Sequence, residues 1–300
     1  MYAVKTTKLE KKYWNFQALK QIDFEIKAWD FFALLWVNWA WKTTIIWILT
    51  DLVRKTSWKV EIFWVDIDEN FSEAKRLVWV VPQEFNLDIF SKVIDVLIIQ
   101  WWYFWMSYNE AKTRWLELLK ELGLEDKKDS KVIALSWWMK RRLMIARALV
   151  HSPKLLILDE PTAWIDINLR KTTYEFLEKL NKSWTTILLT THYLEEVEKL
   201  CNTLAVIKNW EIIINSTKKE FFAKMEKAKF EIEFENDLGE KPNSLDDYSP
   251  TIKNWKLVVE IDKKDSLNNL FWILINQWLK VKNIENITNE LEELFETLTK

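Results

Sequence analysis

The sequence predicts an α/β protein in which helices cover a mixed sheet, followed by a small α+β C-terminal domain. Short apolar runs, which are typical of buried strands, alternate with longer segments of helical period. Near residue 230 the composition changes, which indicates a second domain. The strand candidates in the first part of the chain are residues 31–35, 154–158, 185–189 and 204–207.

The clearest predicted helix covers residues 107–122. Ser107 and Glu110 have the spacing of a capping box at its start. Gly123 follows its last periodic residue, at a position where helices commonly stop. We therefore expect a helix that begins after Ser107 and ends before Gly123.

The C-terminal part reads FEIEFEND, then a polar stretch, then KLVVEID and a periodic segment at 267–278 that predicts a helix. We predict a first domain over 1–225, with a helical subdomain at about 84–150, and an accessory domain over 226–300. Apolar residues recur at helical spacing near the chain end, which predicts a packing or dimer face. They are Ile287, Leu291, Leu294, Phe295 and Leu298.

The charge balance and the apolar runs exclude several functional classes. The 43 Lys and Arg residues against 45 Asp and Glu give a net charge of -2, which argues against a nucleic-acid partner. Cys201 is the single cysteine, so no internal disulfide forms. The apolar run at 93–106 is shorter than the ~20 residues that span a bilayer, and the N-terminal residues lack a signal-peptide pattern. We expect a cytosolic chain that reaches a membrane only through another protein.

Tryptophan and glycine have unusual abundances. The chain has 21 Trp and 2 Gly in 300 residues, whereas glycine alone is ordinarily ~7% of a globular protein. The two counts together approach the number of glycines expected. This suggests that tryptophan stands at positions where the fold uses glycine.

The segment WVNWAWKTT after the first strand candidate is consistent with that idea. With glycine for Trp36, Trp39 and Trp41 it matches the P-loop pattern between a strand and a helix. Glycine is needed there because consecutive N–H groups must face the phosphates without a Cβ in the way. In such a loop, Lys42 contacts the β and γ phosphates and Thr43 holds Mg²⁺.

A second candidate element is the apolar run LLILDEP, which places Asp159 and Glu160 at the end of a strand. Open α/β sheets bind ligands at this edge. A carboxylate such as Asp159 suits Mg²⁺ coordination, and one such as Glu160 suits a base that activates water. The pair alone is also compatible with helix capping, but it becomes informative beside a P-loop.

With these two motifs, the chain resembles the ATP-binding subunits of ABC transporters. LSWWM at 135–139 resembles the family signature LSGGQ, with Met139 in place of Gln. Gln83 in VVPQEF matches the Q-loop, Asp166 the D-loop and His192 the switch histidine, and Tyr13 matches the adenine-stacking aromatic. The order of these elements along the chain carries the resemblance, which extends to exporters of the ABC-2 (drug or polysaccharide) type.

The resemblance implies a P-loop NTPase fold, ATP and Mg²⁺ as cofactors, a separate transmembrane permease, a second ATPase subunit and a place at the cytoplasmic face of the membrane. It assigns catalysis to Gln83, Glu160 and His192, and the metal to Thr43, Gln83 and Asp159. The implied ATP contacts are Tyr13, Trp36, Val37, Asn38, Trp39, Ala40, Trp41, Lys42, Thr43, Thr44, Ser136, Trp137, Trp138 and Asp166.

We hypothesise that the source organism decodes a codon such as UGA as glycine. The conceptual translation of its gene would then have read that codon as tryptophan. Trp210 in an Asn-Trp hairpin and Trp184 at a helix stop also occupy glycine positions. The alternatives are an inactive homologue or nucleotide-free scaffold with true tryptophans, and a non-transport ABC-family ATPase. His151 and Cys201 belong to none of the motifs and are interpreted as structural.

Overall fold

The computed structural model describes residues 1–36, 42–104, 107–162, 167–223, 227–235, 245, 248–253, 256–262, 267–276 and 279–286. The chain forms two compact units, Met1–Lys218 and Lys219–Lys300. The division into an ATPase domain over 1–225, with a helical subdomain at 84–150, and an accessory domain over 226–300 stays a prediction.

The described strands are β1 Tyr2–Tyr13, β2 Phe16–Lys27, β3 Phe31–Trp36, β4 Ser57–Ile62, β5 Val65–Asp66, β6 Val78–Val81, β7 Leu155–Asp159, β8 Thr186–Thr191, β9 Thr203–Lys208, β10 Glu211–Thr217, β11 Lys227–Phe234, β12 Thr251–Lys253, β13 Lys256–Asp262 and β14 Val281–Asn286. The described helices are α1 Lys42–Leu49, α2 Phe71–Leu77, α3 Val93–Phe104, α4 Tyr108–Glu121, α5 Trp137–Leu149, α6 Ile167–Lys182, α7 Leu194–Leu200, α8 Lys218–Ala223 and α9 Leu267–Asn276.

The first unit contains a mixed sheet with the order β10-β9-β3-β8-β7-β6. β3 pairs in parallel with β8 and β9, and β7 pairs in parallel with β6 and β8, whereas β10 is antiparallel to β9. Every residue of β7 and β8 is buried, as expected of central strands covered on both faces. The strands predicted near 31, 154, 185 and 204 are confirmed.

A second sheet of the first unit is antiparallel and has the order β2-β1-β4-β5. Its buried face packs with α1 and with the mixed sheet in one apolar core, which includes Phe24, Phe32, Ile45 and Val60. Full burial of one such side chain contributes about 1.5–3 kcal/mol. This core holds α1 against the strand that precedes it.

The helix predicted at 107–122 is confirmed as α4, and Gly123 follows it with a φ of +63°. That left-handed conformation is the common stop of an α-helix. A Cβ on Gly123 would also lie 3.0 Å from Nη1 of Arg142. Glycine is therefore favoured here by the backbone conformation, whereas the end of the Arg142 side chain could move to make room for a Cβ.

Hairpin turns place tryptophan in left-handed backbone. Asn209 and Trp210, between β9 and β10, both have positive φ (49° and 72°), the pattern of a type I′ turn with Asn-Gly. Trp14 (φ 52°) opens the β1–β2 turn and Trp64 (φ 67°) closes the β4–β5 turn. The predicted hairpin at Trp210 is confirmed. Trp14, Trp64 and Trp210 all have backbone conformations that favour glycine.

Helix ends show the same pattern. Trp184 has a φ of 69° and follows the end of α6, where its N–H donates to the carbonyl of Asn181 across 3.1 Å. The predicted helix stop is thus confirmed. Trp29 (φ 65°), in the turn before β3, packs edge-on against Trp184 with ring centroids 5.1 Å apart.

The second unit contains an antiparallel sheet with the order β12-β13-β11-β14, against which α9 packs Leu270 and Leu274. α9 covers the predicted helix as far as Asn276, and residues 277–278 lie outside the described residues. The predicted helical face at 287–298 also lies outside them. Of the helices that the structure describes, none combines the length and the apolar character that crossing a membrane requires.

Candidate functional site

The candidate site lies at the carboxyl edge of the mixed sheet, where β7 and β8 end side by side. Asp159 is the last residue of β7 and pairs with Thr190 of β8. The hydroxyl of Thr190 donates to Oδ1 of Asp159 across 2.7 Å, and both residues are buried. Parallel pairing therefore fixes the direction of the Asp159 carboxylate, as predicted for a strand-end acid.

Glu160 follows Asp159 and is only 3% exposed. Its backbone N–H donates to the carbonyl of Thr190 across 3.0 Å, and its φ is 45°. Left-handed backbone at a residue other than glycine costs of order 1–3 kcal/mol and recurs at functional sites. The pairing of the strand end thus holds the backbone of Glu160 in a conformation that this residue would rarely adopt on its own.

Gln83 and His192 approach the two oxygens of Glu160. Nε2 of Gln83 donates to Oε2 across 3.1 Å, and Nδ1 of His192 lies 3.5 Å from Oε1. The three residues come from a loop after β6, the end of β7 and the end of β8. The structure therefore brings together the three residues that the sequence predicts to be catalytic.

His192 is held at the rim of this cluster. Its side chain is 35% exposed, and its ring lies 4.0 Å, centroid to centroid, from that of Tyr193. The N–H of Tyr193 donates to the hydroxyl of Thr191 across 3.0 Å. The histidine thus combines a buried partner on one side with access to solvent on the other.

The predicted phosphate loop follows β3. Residues 37–41, which include Val37, Asn38, Trp39, Ala40 and Trp41, lie outside the described residues. Trp36 ends β3, and Lys42 and Thr43 are the first two residues of α1, followed by buried Thr44. The strand and the helix on either side of the loop are those that a P-loop requires.

The signature-like segment is the start of α5. Ser136 is its N-cap, and Oγ accepts the N–H of Met139 across 3.2 Å. Trp137 is 40% exposed and packs edge-on against Phe85, whereas Trp138 is 8% exposed. Exposed N–H groups at a helix start form a natural anion site, and this one carries two indoles.

The remaining predicted residues are Tyr13 and Asp166. Tyr13 ends β1, and Nζ of Lys11 lies 4.5 Å from the centre of its ring. Asp166 lies outside the described residues. The proposed contact of Tyr13 with adenine stays a prediction.

Sequence reasoning missed Thr190 and Arg141. Thr190 reads as an ordinary strand residue, and only its pairing with Asp159 reveals its role. Arg141 lies in a basic stretch, KRR, yet it is 1% exposed and donates to carbonyls beside Gln83 and Glu160. One signal in the sequence indicates burial of Arg141, since apolar residues lie one helical turn away from it. That signal does not show which carbonyls the guanidinium contacts.

The fold and this site define an α/β protein with the P-loop NTPase architecture. The acids at the sheet edge can hold a hydrated cation and accept a proton from water, and Gln83 and His192 can orient groups beside them. Comparison with known proteins also identifies an ATP-binding protein of this architecture. The sequence profile described as "ABC transporter" matches residues 19–163.

Curated relatives include the Linearmycin resistance ATP-binding protein LnrL of Bacillus subtilis, 35% identical over 210 residues, which cover 70% of this chain and 68% of that protein. The Nod factor export ATP-binding protein I of Burkholderia orbicola is 38% identical over 200 residues, which cover 67% of this chain and 66% of that protein. The chain thus matches about two thirds of the length of these relatives.

Among solved structures, cbiO1 of Clostridium perfringens, part of the ABC transporter complex cbiONQ, has a TM-score of 0.67 and 29% identity and covers 74% of this chain and 91% of that one. An ATP-binding cassette of an ABC transporter in its ADP conformation, at 22% identity and a TM-score of 0.67, covers 73% and 92% and supports the fold. The chain belongs to the ABC transporter family and carries the ATP-binding domain of that family. Domains of this family hydrolyse ATP.

Proposed function

We propose that this chain energises export by a membrane transporter, and that Glu160 is the base of its ATP hydrolysis. The observation that carries the proposal is the contact of Gln83 and His192 with the two oxygens of the buried Glu160 carboxylate. A carboxylate placed in this way can take a proton from water while its neighbours orient that water.

The nucleotide-binding roles follow the motif order. Lys42 would contact the β and γ phosphates from the start of α1, and Thr43 follows it there. The ATP contacts named above for the P-loop, Tyr13 and Asp166 belong to the same proposal. The function applies to a chain with glycine at the P-loop and the signature, because indoles there would occupy the space of the phosphates.

Mg²⁺ fits the donor set at the sheet edge. Asp159 would supply a carboxylate and Gln83 an amide oxygen, and Thr43, in the first turn of α1, would supply a hydroxyl. All three are hard oxygen ligands. The hydrogen bond from the Thr190 hydroxyl holds the Asp159 carboxylate in place at the end of β7. When bound, the cation neutralises charge that develops on the phosphate oxygens.

In this mechanism, water attacks the γ phosphorus and the bond to the bridging oxygen of the β phosphate breaks, so ADP leaves with that electron pair. Glu160 accepts the proton of the attacking water. His192 and Gln83 orient the water and the γ phosphate through hydrogen bonds. The buried, preorganised cluster supplies positioning and electrostatic stabilisation, which dominate catalysis of phosphoryl transfer.

We further propose a dimer of ATPase subunits. Ser136 and the first N–H groups of α5 would contact the γ phosphate held by the opposite copy. The relatives named above are an export and a resistance ATP-binding protein, and they support export as the direction. The transported compound is set by the membrane subunit.

The loop and helices after Gln83 are the proposed contact with the permease. Phe90 is 69% exposed, Ile89 40% and Ile133 53%, and the N–H of Ile133 donates to the carbonyl of Ile89 across 2.8 Å. These three exposed apolar residues therefore lie on two adjoining segments, and we propose that they act as one apolar patch. A patch of this kind suits a protein partner at the membrane surface, which would place the chain at the cytoplasmic face.

The proposal is tested with a glycine-bearing form, defined as the chain with glycine at Trp36, Trp39, Trp41, Trp137 and Trp138. This form should bind and hydrolyse ATP with Mg²⁺ and dimerise in its presence. The matched control is Lys42→Ala in the same form, which should lose ATP binding. A glycine-bearing form that neither binds nor hydrolyses ATP would contradict the proposal.

A further inference from the structure

Arg141 is the largest fully buried side chain among the described residues, with 1% of its surface exposed. It lies near the start of α5, five residues after Ser136. Burial lowers its pKa to about 10, while the carboxylates of Asp159, Glu160 and Glu196 oppose that shift. Its guanidinium therefore stays charged at neutral pH although it is buried inside the first unit.

The guanidinium donates to four backbone carbonyls from two separate segments, the loop after β6 and the end of β7 with the residues that follow it. Nη1 donates to Pro82 across 2.5 Å and to Gln83 across 3.4 Å. Nη2 donates to Asp159 across 2.8 Å, and Nε donates to Pro161 across 3.2 Å. The carbonyls of Asp159 and Pro161 flank Glu160, so one side chain fixes the backbone on both sides of the proposed base.

The four hydrogen bonds of Arg141 can maintain the hydrogen bond between Gln83 and Glu160. Glu160 has a left-handed φ of 45°, which its surroundings must impose. Gln83 lies in a loop without regular secondary structure. A planar guanidinium presents five donors in a fixed arrangement, so it can hold both segments at one spacing, which a flexible ammonium cannot reproduce.

We propose that Arg141 is a positioning residue for ATP hydrolysis, which sets the distance between Gln83 and Glu160 and ties both to the helix that begins after Ser136. The inference rests on the proposed function of Glu160. Among the described residues, the hydrogen bonds of the Arg141 guanidinium go to backbone carbonyls, so it acts through the residues whose backbones it holds.

The neighbouring Arg142 provides a matched control. It lies on the same helix, and its Nη1 donates to one carbonyl, that of Leu122, across 3.0 Å. Leu122 follows α4, away from the Glu160 cluster. Arg142→Met removes a guanidinium–carbonyl bond from α5 without touching either loop beside Glu160.

The experiment measures kcat, KM for ATP and melting temperature of the glycine-bearing form and of its Arg141→Met, Arg141→Lys and Arg142→Met variants. Misplacement by about 1 Å can cost about 100-fold in rate, so Arg141→Met should lower kcat by about 10- to 100-fold. KM should change by less than about threefold, because the nucleotide contacts remain. Arg141→Lys should recover part of kcat, and Arg142→Met should retain it.

Assays are run well below each melting temperature, so a purely structural role would lower the melting temperature and leave kcat unchanged. That result for Arg141→Met would overturn the proposal, as would an equal loss in Arg142→Met. If Arg141→Met does not fold, Arg141→Lys decides, and full kcat in that variant would overturn the proposal. Inactivity of the glycine-bearing parent would instead refute the proposed function.

Discussion

Gln83 donates a hydrogen bond of 3.1 Å to the carboxylate of Glu160, although the two residues are 77 positions apart in the chain. His192 lies 3.5 Å from the other carboxylate oxygen. Gln83, which follows β6, and His192, which follows β8, thus both contact Glu160 at the end of the strand between them, β7. A displacement of the Glu160 carboxylate would therefore act directly on its hydrogen bond with Gln83.

Replacing the proposed base should separate binding from turnover. Glu160→Gln in the glycine-bearing form keeps the shape of the side chain and removes the proton acceptor. Loss of a general base typically costs about 10²–10⁴ in rate, so kcat should fall by that factor while ATP binding persists. Size-exclusion chromatography with ATP should then show a stable dimer. Glu195→Gln, at an exposed site on α7, is the control, and rapid turnover by Glu160→Gln would refute the base assignment.

Tryptophan at positive φ should destabilise the fold. Trp14 is fully exposed and has a φ of 52°, so Trp14→Gly loses no buried area and relieves about 1–2 kcal/mol of strain. Trp14→Ala keeps the Cβ and should gain less, as measured by urea unfolding. Equal stability of the two variants would contradict the argument.

The contrasting position is Trp115, which is 2% exposed in the middle of α4. Trp115→Gly should lower stability by about 3–5 kcal/mol through loss of core packing, plus about 1 kcal/mol for glycine within a helix. Backbone conformation thus distinguishes tryptophans at glycine positions from tryptophans that the core uses. A neutral effect at Trp115 would remove that distinction.

Glu196 should make stability depend on pH. It is 1% exposed on α7, and burial raises its pKa from 4.5 to about 7, against the opposing effects of Thr191 and Arg170. Because the folded-state pKa is above the unfolded value, the folded state binds the proton more tightly. The resulting stability is complete below pH 4.5 and is lost as pH rises to about 7.

Glu196→Gln stays neutral, so it should match the parent chain near pH 4.5 and exceed it by about 3 kcal/mol at pH 8. Denaturant titrations at the two pH values measure the difference. Glu195→Gln, an exposed neighbour on the same helix, should show no comparable trend. A constant difference between Glu196→Gln and the parent at both pH values would contradict this account of burial.

The apolar patch at Ile89, Phe90 and Ile133 should mediate membrane association. Phe90→Asp places a charge on the most exposed of the three residues and should weaken cosedimentation with membrane vesicles of the source organism. ATP hydrolysis by the isolated variant should persist. Leu52→Asp, at another exposed apolar position, is the control. Unchanged cosedimentation of Phe90→Asp would contradict the proposed permease contact.

Sequence reasoning could predict the local features of this protein. The buried strands follow from apolar runs, the end of α4 from Gly123, and the hairpin at Trp210 from Asn209. The strand-end position of Asp159 and Glu160 at the ligand-binding edge of the sheet was also predicted. The roles of Gln83 and His192 came from the resemblance to the family, through the order of the motifs.

The remaining features depend on packing between distant segments. The four carbonyls around Arg141 belong to residues 18 to 59 positions away, and no local pattern encodes which buried guanidinium reaches them. The long strands β1 and β2 were also missed, since their alternation of apolar and charged residues is interrupted by register shifts. Tertiary pairing overrides the period of the sequence at such bulges.

The central claim is that glycine stands in the natural protein where the fold and the phosphate site demand it. The most direct measurement is the mass of the tryptic peptide ending at Lys42, isolated from the source organism. The account predicts a mass lower than that of the printed sequence by four tryptophan-to-glycine differences, at Trp29, Trp36, Trp39 and Trp41. A mass equal to that of the printed sequence would show true tryptophans and contradict the claim.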